Sequence, residues 1–231
     1  MLGGILFLLG IFLGLALAVA AIWGDFEGFS YFNTGAGYSS FNGLDCPILM
    51  TRSETGTVTA RFKNSTGEEF EPYYEVAISG PASSRKFEGQ LSVPAHTTKT
   101  IQWTVDSNDV DLSFFIFVDM NILPVAGYST REDTCGIVVL DFPILTGGQV
   151  LASVLTISLI GILVGLGLWE NSADRKMGGA SNLQRALRAL GIATLLALLT
   201  SMLGLWAAGL IFCVMAILLL AIILRLSIEA R

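Results

Sequence analysis

Cys46, Cys135 and Cys213 are the three cysteines of this 231-residue chain, and His96 is its single histidine. Nucleophilic or metal chemistry therefore has few places to reside. A zinc site needs several Cys, His or carboxylate ligands at characteristic spacing, and His96, in the turn "VPAHTTK", has none nearby. Ser83 stands three residues before Lys86 in "SSRK", the spacing of Ser/Lys acyl enzymes. That string falls in a strand-edge loop rather than at a helix start, and no companion motif follows it. "DSNDVD" concentrates hard oxygen ligands, so Asp106, Asn108, Asp109 and Asp111 are calcium candidates by residue type. The loop glycine and distal glutamate of an EF-hand are missing, and turns between strands use Asp and Asn for their own geometry. "NST" at Asn64 has the form of a glycosylation sequon. With no acid–base pair, activated nucleophile or metal cage in the pattern, the expectation is a chain without catalytic residues or cofactor, and not an enzyme.

The elements that must position these residues are mostly apolar. Over half of the chain, 53%, is hydrophobic, and the excess is concentrated in blocks. Leu2 to Trp23, Val150 to Trp169, Ala186 to Leu205 and Ala207 to Leu224 contain no Asp, Glu or Lys and only Arg188 among basic residues. Each is close to the roughly 20 residues that a bilayer-spanning helix requires. The last two blocks cannot be one helix, since at about 1.5 Å per residue it would far exceed a hydrocarbon core of roughly 30 Å. "GLWAAG" is read as the hairpin between them.

This predicts a membrane protein in which a four-span α-helical bundle carries an all-β ectodomain inserted between helices 1 and 2. Transmembrane helix 1 covers 1–23, an aromatic and Gly-rich strap 24–45, the β-sandwich 46–147 and helix 2 148–169. A cytoplasmic loop follows over 170–185, then helix 3 over 186–206 and helix 4 with its tail over 207–231. A cleaved signal peptide ending near Ala21 is the rival reading of the first block, against which stand its length and the lack of Lys or Arg before it.

Charge sets the expected orientation. Gly24 to Gln149 holds 16 acidic and 7 basic residues, whereas the rest of the chain holds 3 acidic and 6 basic. Because Lys and Arg in short loops stay on the cytoplasmic side, both termini are expected inside and residues 24–147 outside a multi-pass plasma-membrane protein. The acidic balance argues against nucleic acid as a partner. Within the spans, Gly10 and Gly14, and Gly161 and Gly165, have the GxxxG spacing that lets helices approach closely. Helix packing within the chain is the first reading of these glycines, and a homo-oligomer the second. No ionisable side chain stands at mid-depth, which disfavours a transporter, and Cys213 reads as a small packing residue.

Between the first two spans, seven alternating runs read as strands: "CPILMT", "TVTARFK", "YYEVAIS", "KFEGQLSV", "KTIQWTV", "LSFFIFVDMNI" and "CGIVVLDF". The strand number and the phrases "KNSTGEEFEP" and "VPAHTTKTIQW" resemble the Ig-like modules of bacterial cell surfaces, over about Cys46 to Phe142. The cysteines depart from the antibody pattern by standing at the starts of the first and seventh strands. In an Ig-like sandwich those strands can run side by side in parallel, so the resemblance implies a Cys46–Cys135 disulfide, formed in an oxidising compartment.

The strap would have to run the length of the sandwich to reach the first strand. Its Phe26, Phe29, Tyr31, Phe32, Tyr38 and Phe41 either pack on the sandwich, sit at the lipid interface or dock a partner. The functional expectation is an accessory or structural subunit, in contact with membrane lipid, that displays its sandwich to another membrane or envelope protein. A sensor acting through a cytoplasmic partner is the alternative.

Overall fold

The computed structural model describes residues 2–32, 39–40, 43–123, 131–173 and 181–229. Two compact units emerge, one formed by 1–22 with 150–231 and the other by 23–149.

The first unit is helical. It takes in most of α1 (Leu2–Tyr31) and α2 (Gly147–Ala173), and all of α3 (Ser181–Met202) and α4 (Trp206–Glu229). Among the described residues, these four helices are long and apolar enough to cross a membrane. Phe7, Ile11, Ile162, Leu187, Leu190, Ala193, Ala216 and Ile223 form the buried centre. The two GxxxG pairs meet each other: a Cβ on Gly10 would stand 2.6 Å from the Ile162 amide nitrogen, and one on Gly161 2.9 Å from Gly10 Cα. Where the backbones approach this closely, the Ser158 hydroxyl donates across to the Gly10 carbonyl at 2.8 Å.

Two helix boundaries differ from expectation. The turn between α3 and α4 is Leu203–Leu205, with Gly204 in the left-handed region at φ +69°, so Trp206 to Gly209 of the expected hairpin are already helical. Gly204 ends α3 because it adopts that conformation without strain, while the Leu203, Gly204 and Leu205 amides return to α3 carbonyls. The connection between α2 and α3 is also shorter than expected, since α2 continues to Ala173 and α3 begins at Ser181.

The second unit is all-β apart from the end of α1. Its strands follow α1 and precede α2: β1 (Ser39–Ser40), β2 (Leu44–Asp45), β3 (Leu49–Thr51), β4 (Gly56–Lys63), β5 (Tyr73–Ile78), β6 (Arg85–Gln90), β7 (Thr98–Val105), β8 (Phe115–Ile122) and β9 (Arg131–Leu140). One sheet has the order β1-β9-β8-β5-β6, with β3 also paired to β9, and the other the order β2-β4-β7. Period-two alternation sends Val58, Ala60 and Phe62 of β4 and Ile116, Val118 and Met120 of β8 into one core with Trp103, Val76 and Ile137. This is a β-sandwich. The seven expected strands correspond to β3 through β9, and the strap supplies two further short ones.

Both β1 and β3 pair in parallel with β9, at Arg131–Glu132 and at Val138–Leu140. Between these contacts the chain leaves for the second sheet as β2 and returns, bringing Cys46 beside Cys135. The disulfide joins them, with Cα atoms 6.5 Å apart. Neither cysteine begins its strand as expected: Cys46 precedes β3 and Cys135 lies midway along β9. The parallel pairing that the sequence implied is nonetheless what places them together.

The strap is corrected most. It was expected to begin at Gly24, yet α1 continues through Tyr31. Two glycines should weaken that stretch by about 1 kcal/mol each relative to Ala. They lie on one face, however, and let the helix backbone lie directly on β9.

Candidate interaction surface

The last two turns of α1 lie on the outer face of the larger sheet. A Cβ on Gly24 would stand 2.9 Å from the Gly136 carbonyl oxygen, and one on Gly28 3.1 Å from that of Cys135. The Gly136 amide donates to Asp25 Oδ1 at 3.4 Å. Further along, the Tyr31 ring stacks on Phe117 with centroids 4.8 Å apart, and its hydroxyl donates to Asp111 Oδ2 at 2.7 Å. Of the six aromatic residues proposed for partner docking, Tyr31 therefore spends one ring face on the sheet, with Phe32 against its edge. Phe26 and Phe29 remain exposed. Tyr38 and Phe41 lie outside the described residues.

Beyond the helix, the same outer face carries carboxylates. On β8 the alternation that turns Val118 and Met120 inward turns Asp119 and Asn121 outward. Register then sets Glu132 and Thr134 of β9 on one side, Glu75 and Ala77 of β5 on the other, and Glu88 and Lys86 of β6 beyond them. Lys86 Nζ donates to Glu75 at 2.9 Å, Tyr73 to Glu88 at 2.7 Å and Asn121 to Asp119 Oδ2 at 2.8 Å. Asp119 itself is only 6% exposed, and its Oδ1 has no hydrogen-bond donor. Burial pushes its carboxyl up to about 7, reinforced by the Glu132 and Glu75 charges. Once protonated, Asp119 gains Glu132 as an acceptor, so this pair holds a proton in a range where ordinary carboxylates have lost theirs.

A folded-state value above that of the unfolded chain stabilises the protein fully below about 4, and that stabilisation is lost as pH rises through about 7. Asp119→Asn, neutral throughout, should flatten the fall in melting temperature between pH 5 and 8 and leave the variant more stable than the parent at pH 8. Glu132 and Asp133, also raised by burial, keep a residual slope. Superimposable melting profiles across this range would refute the assignment.

The calcium candidates are dispersed into local roles. Asp106 caps a short 3-10 turn, accepting from the Asn108 amide at 2.7 Å, while Asp109 accepts from the Asp106 amide at 2.9 Å. Buried Asp109 also takes the Arg85 guanidinium at 2.6 Å. Asp111 instead faces Tyr31 and the Leu112 amide. Among the described residues, no group of His, Cys, Asp and Glu could hold a metal ion. Asn64, the sequon residue, is buried: its amide nitrogen donates to the Glu68, Val93 and Pro94 carbonyls, and its oxygen accepts from the Thr66 amide and hydroxyl. It is the organiser of its turn. His96 adopts φ +56° in a tight turn.

The sequence reading missed Gly24, Gly28, Gly136, Asp119 and Glu132. A signal for the glycines existed, since Gly24 and Gly28 repeat the GxxxG spacing, and a glycine inside a strand marks a close backbone approach. Asp119 gave less notice. Its place in "FVDMNI" fixes its face, but its burial depends on neighbouring strands.

These features define a class: a two-sheet β-domain carried by a chain with four membrane-capable helices. No protein family matches the chain, and no curated protein does. Solved structures with partial similarity include a β-glucuronidase of Bacteroides uniformis (11% identity over 42% of this chain and 12% of that one, TM-score 0.30). They also include a β-glucosidase of Listeria innocua (12% identity, 41% and 15%, TM-score 0.29). A third is a CARDB domain from Pyrococcus furiosus, solved with metal ions (11% identity, 45% and 100%, TM-score 0.33). This chain thus spans about an eighth of the length of the enzymes it matches. The expectation that the chain is not an enzyme is withdrawn, since glycosidases stand among these structures; at TM-scores of about 0.3 the likeness assigns no activity to this chain. A sandwich does not separate enzymes from binding proteins; the chemistry resides in sites added to it.

Proposed function

We propose that this is a multi-pass membrane protein acting as an accessory or structural subunit, whose β-domain, held outside the cytoplasm, binds another membrane or envelope protein. The observation that carries the reading is the outer face of the larger sheet, where Glu75 and Glu132 flank the buried Asp119 and Glu88 stands beyond Glu75, beside the aromatic end of α1. Such a face suits a cationic segment of a partner, because charge complementarity steers encounter and sets register. The Cys46–Cys135 disulfide supports an oxidising location for residues 24–147. The basic bias of the remaining loops supports cytoplasmic termini.

A photo-crosslinking residue in place of Glu88 in the full chain, expressed in its native membrane, tests this. One discrete adduct with a second membrane or envelope protein is expected, reduced at least tenfold when Glu75 and Glu132 are changed to Gln. Adducts absent, or unaffected by that change, would reject the docking role.

A further inference from the structure

At one end of the β-domain, apolar side chains stand exposed where the fold has no need of them. The hairpin between Asp111 and Phe115 turns through Leu112 and Ser113, at φ +45° and +74°. Such a left-handed pair is ordinarily the place of Gly or Asn, because a Cβ meets the backbone there. Here the tip instead presents Leu112, 52% exposed, with Phe114 beside it, also exposed. The segment following β9 adds Phe142, Ile144 and Leu145, all exposed, with Ile144 at 90%.

The turn after β3 ties these two segments together. Its Arg52 amide donates to the Leu140 carbonyl at 3.1 Å, and its guanidinium donates to the Ser113 carbonyl at 2.7 Å. Glu54 accepts from the Gly147 amide at 2.8 Å and from Thr51 at 2.6 Å. Gly147 opens α2, and Thr146 and Gln149 cap its first turn reciprocally. The apolar rim therefore lies at the end of the β-domain from which a membrane-capable helix departs.

We propose that this rim, Leu112, Phe114, Phe142, Ile144 and Leu145, is a lipid-contacting surface seated in the headgroup–acyl boundary of the bilayer. The proposal rests on the reading that α2 crosses a membrane, whose apolar window opens at Gly147. If it does, the boundary passes within one helical turn of Ile144, and the side chains fastened around Gly147 reach it too. Leu and Phe are the residue types that bury at such a depth. The charges at this end nearly cancel: Arg85 and Asp109 pair with each other, Asp111 accepts from Tyr31, and exposed Arg52 stands against exposed Asp141. The opposite end of the sandwich, at the connection after β4, carries Glu68, Glu69 and Glu71.

Nitroxide labels read the depth directly. In the full chain with Cys213→Ala, reconstituted in phosphatidylcholine–phosphatidylglycerol vesicles, single variants Leu112→Cys and Ile144→Cys are compared with Glu69→Cys and with Leu159→Cys on α2. Collision with oxygen relative to a nickel chelate should be at least threefold higher at 112 and 144 than at 69, approaching the value at 159. Nickel exposure at 112 and 144 with oxygen exposure at 159 overturns the proposal while leaving the spanning helix intact. Nickel exposure at 159 overturns both. Labels at 112 and 144 shielded from both reagents would mean that protein covers the rim, and would equally overturn it.

Discussion

Removing the covalent link by Cys46→Ser with Cys135→Ser lowers the stability of the β-domain by about 4 to 5 kcal/mol, the loop-closure entropy expected for so long a loop. The two cysteines are 89 positions apart, so the reduced unfolded chain recovers a great deal of freedom that the bonded one lacks. For a unit of residues 23–149, this corresponds to a fall in melting temperature on the order of 15 °C. The loss is entropic in origin and should therefore appear without rearrangement of the core. Cys46 and Cys135 touch that core only at its margin, whereas Val76, Val118 and Ile137 are fully buried within it. Calorimetry of the full chain in detergent, with and without reductant, provides the measurement. Reductant should shift the parent down to the variant and leave the variant unmoved. Coincident transitions for parent and variant would show that the bond does not contribute to stability.

The second large effect is expected at Gly136. A Cβ there would overlap the carbonyl of Gly24, and backbone cannot rotate aside as a flexible side chain can. Gly136→Ala should force the end of α1 off β9, with loss of the Asp25 contact and of the Tyr31–Phe117 stack. The cost should be about 3 kcal/mol, at the upper end for overpacking. Gly67→Ala is the control, since nothing stands within 4 Å of its Cβ position. Thermal unfolding, together with the rate of proteolytic cleavage within 24–32, separates the two. If Gly136→Ala melts within 1 °C of the parent, the helix does not depend on that close approach.

The contrast between these two sites shows where sequence reasoning holds. The Cys46–Cys135 pair was legible because the resemblance to Ig-like modules implied parallel pairing of the first and last strands, and that pairing is present. The strap was not legible. "GDFEGFSY" has poor helix propensity, and as a helix it rests through Gly24 and Gly28 on Gly136 and Cys135 of β9, more than a hundred residues away. The calcium candidates were drawn together by composition and then separated by geometry: Asp109 turns to Arg85 and Asp111 to Tyr31, partners that proximity along the chain does not reveal.

Local order in the chain was enough to determine the four apolar helices, the alternating strands of the sandwich and the face of β8 on which Asp119 lies. These depend on periodicity, which is written residue by residue. Tertiary structure alone decided that GxxxG of α1 meets GxxxG of α2, that Gly24 and Gly28 rest on Gly136, and that Asp119 is buried beside Glu132. It alone tied the Leu112 hairpin and the start of α2 to one turn, through Arg52 and Glu54. Each of these depends on distance between residues far apart in sequence, and so on how the elements pack rather than on which elements form.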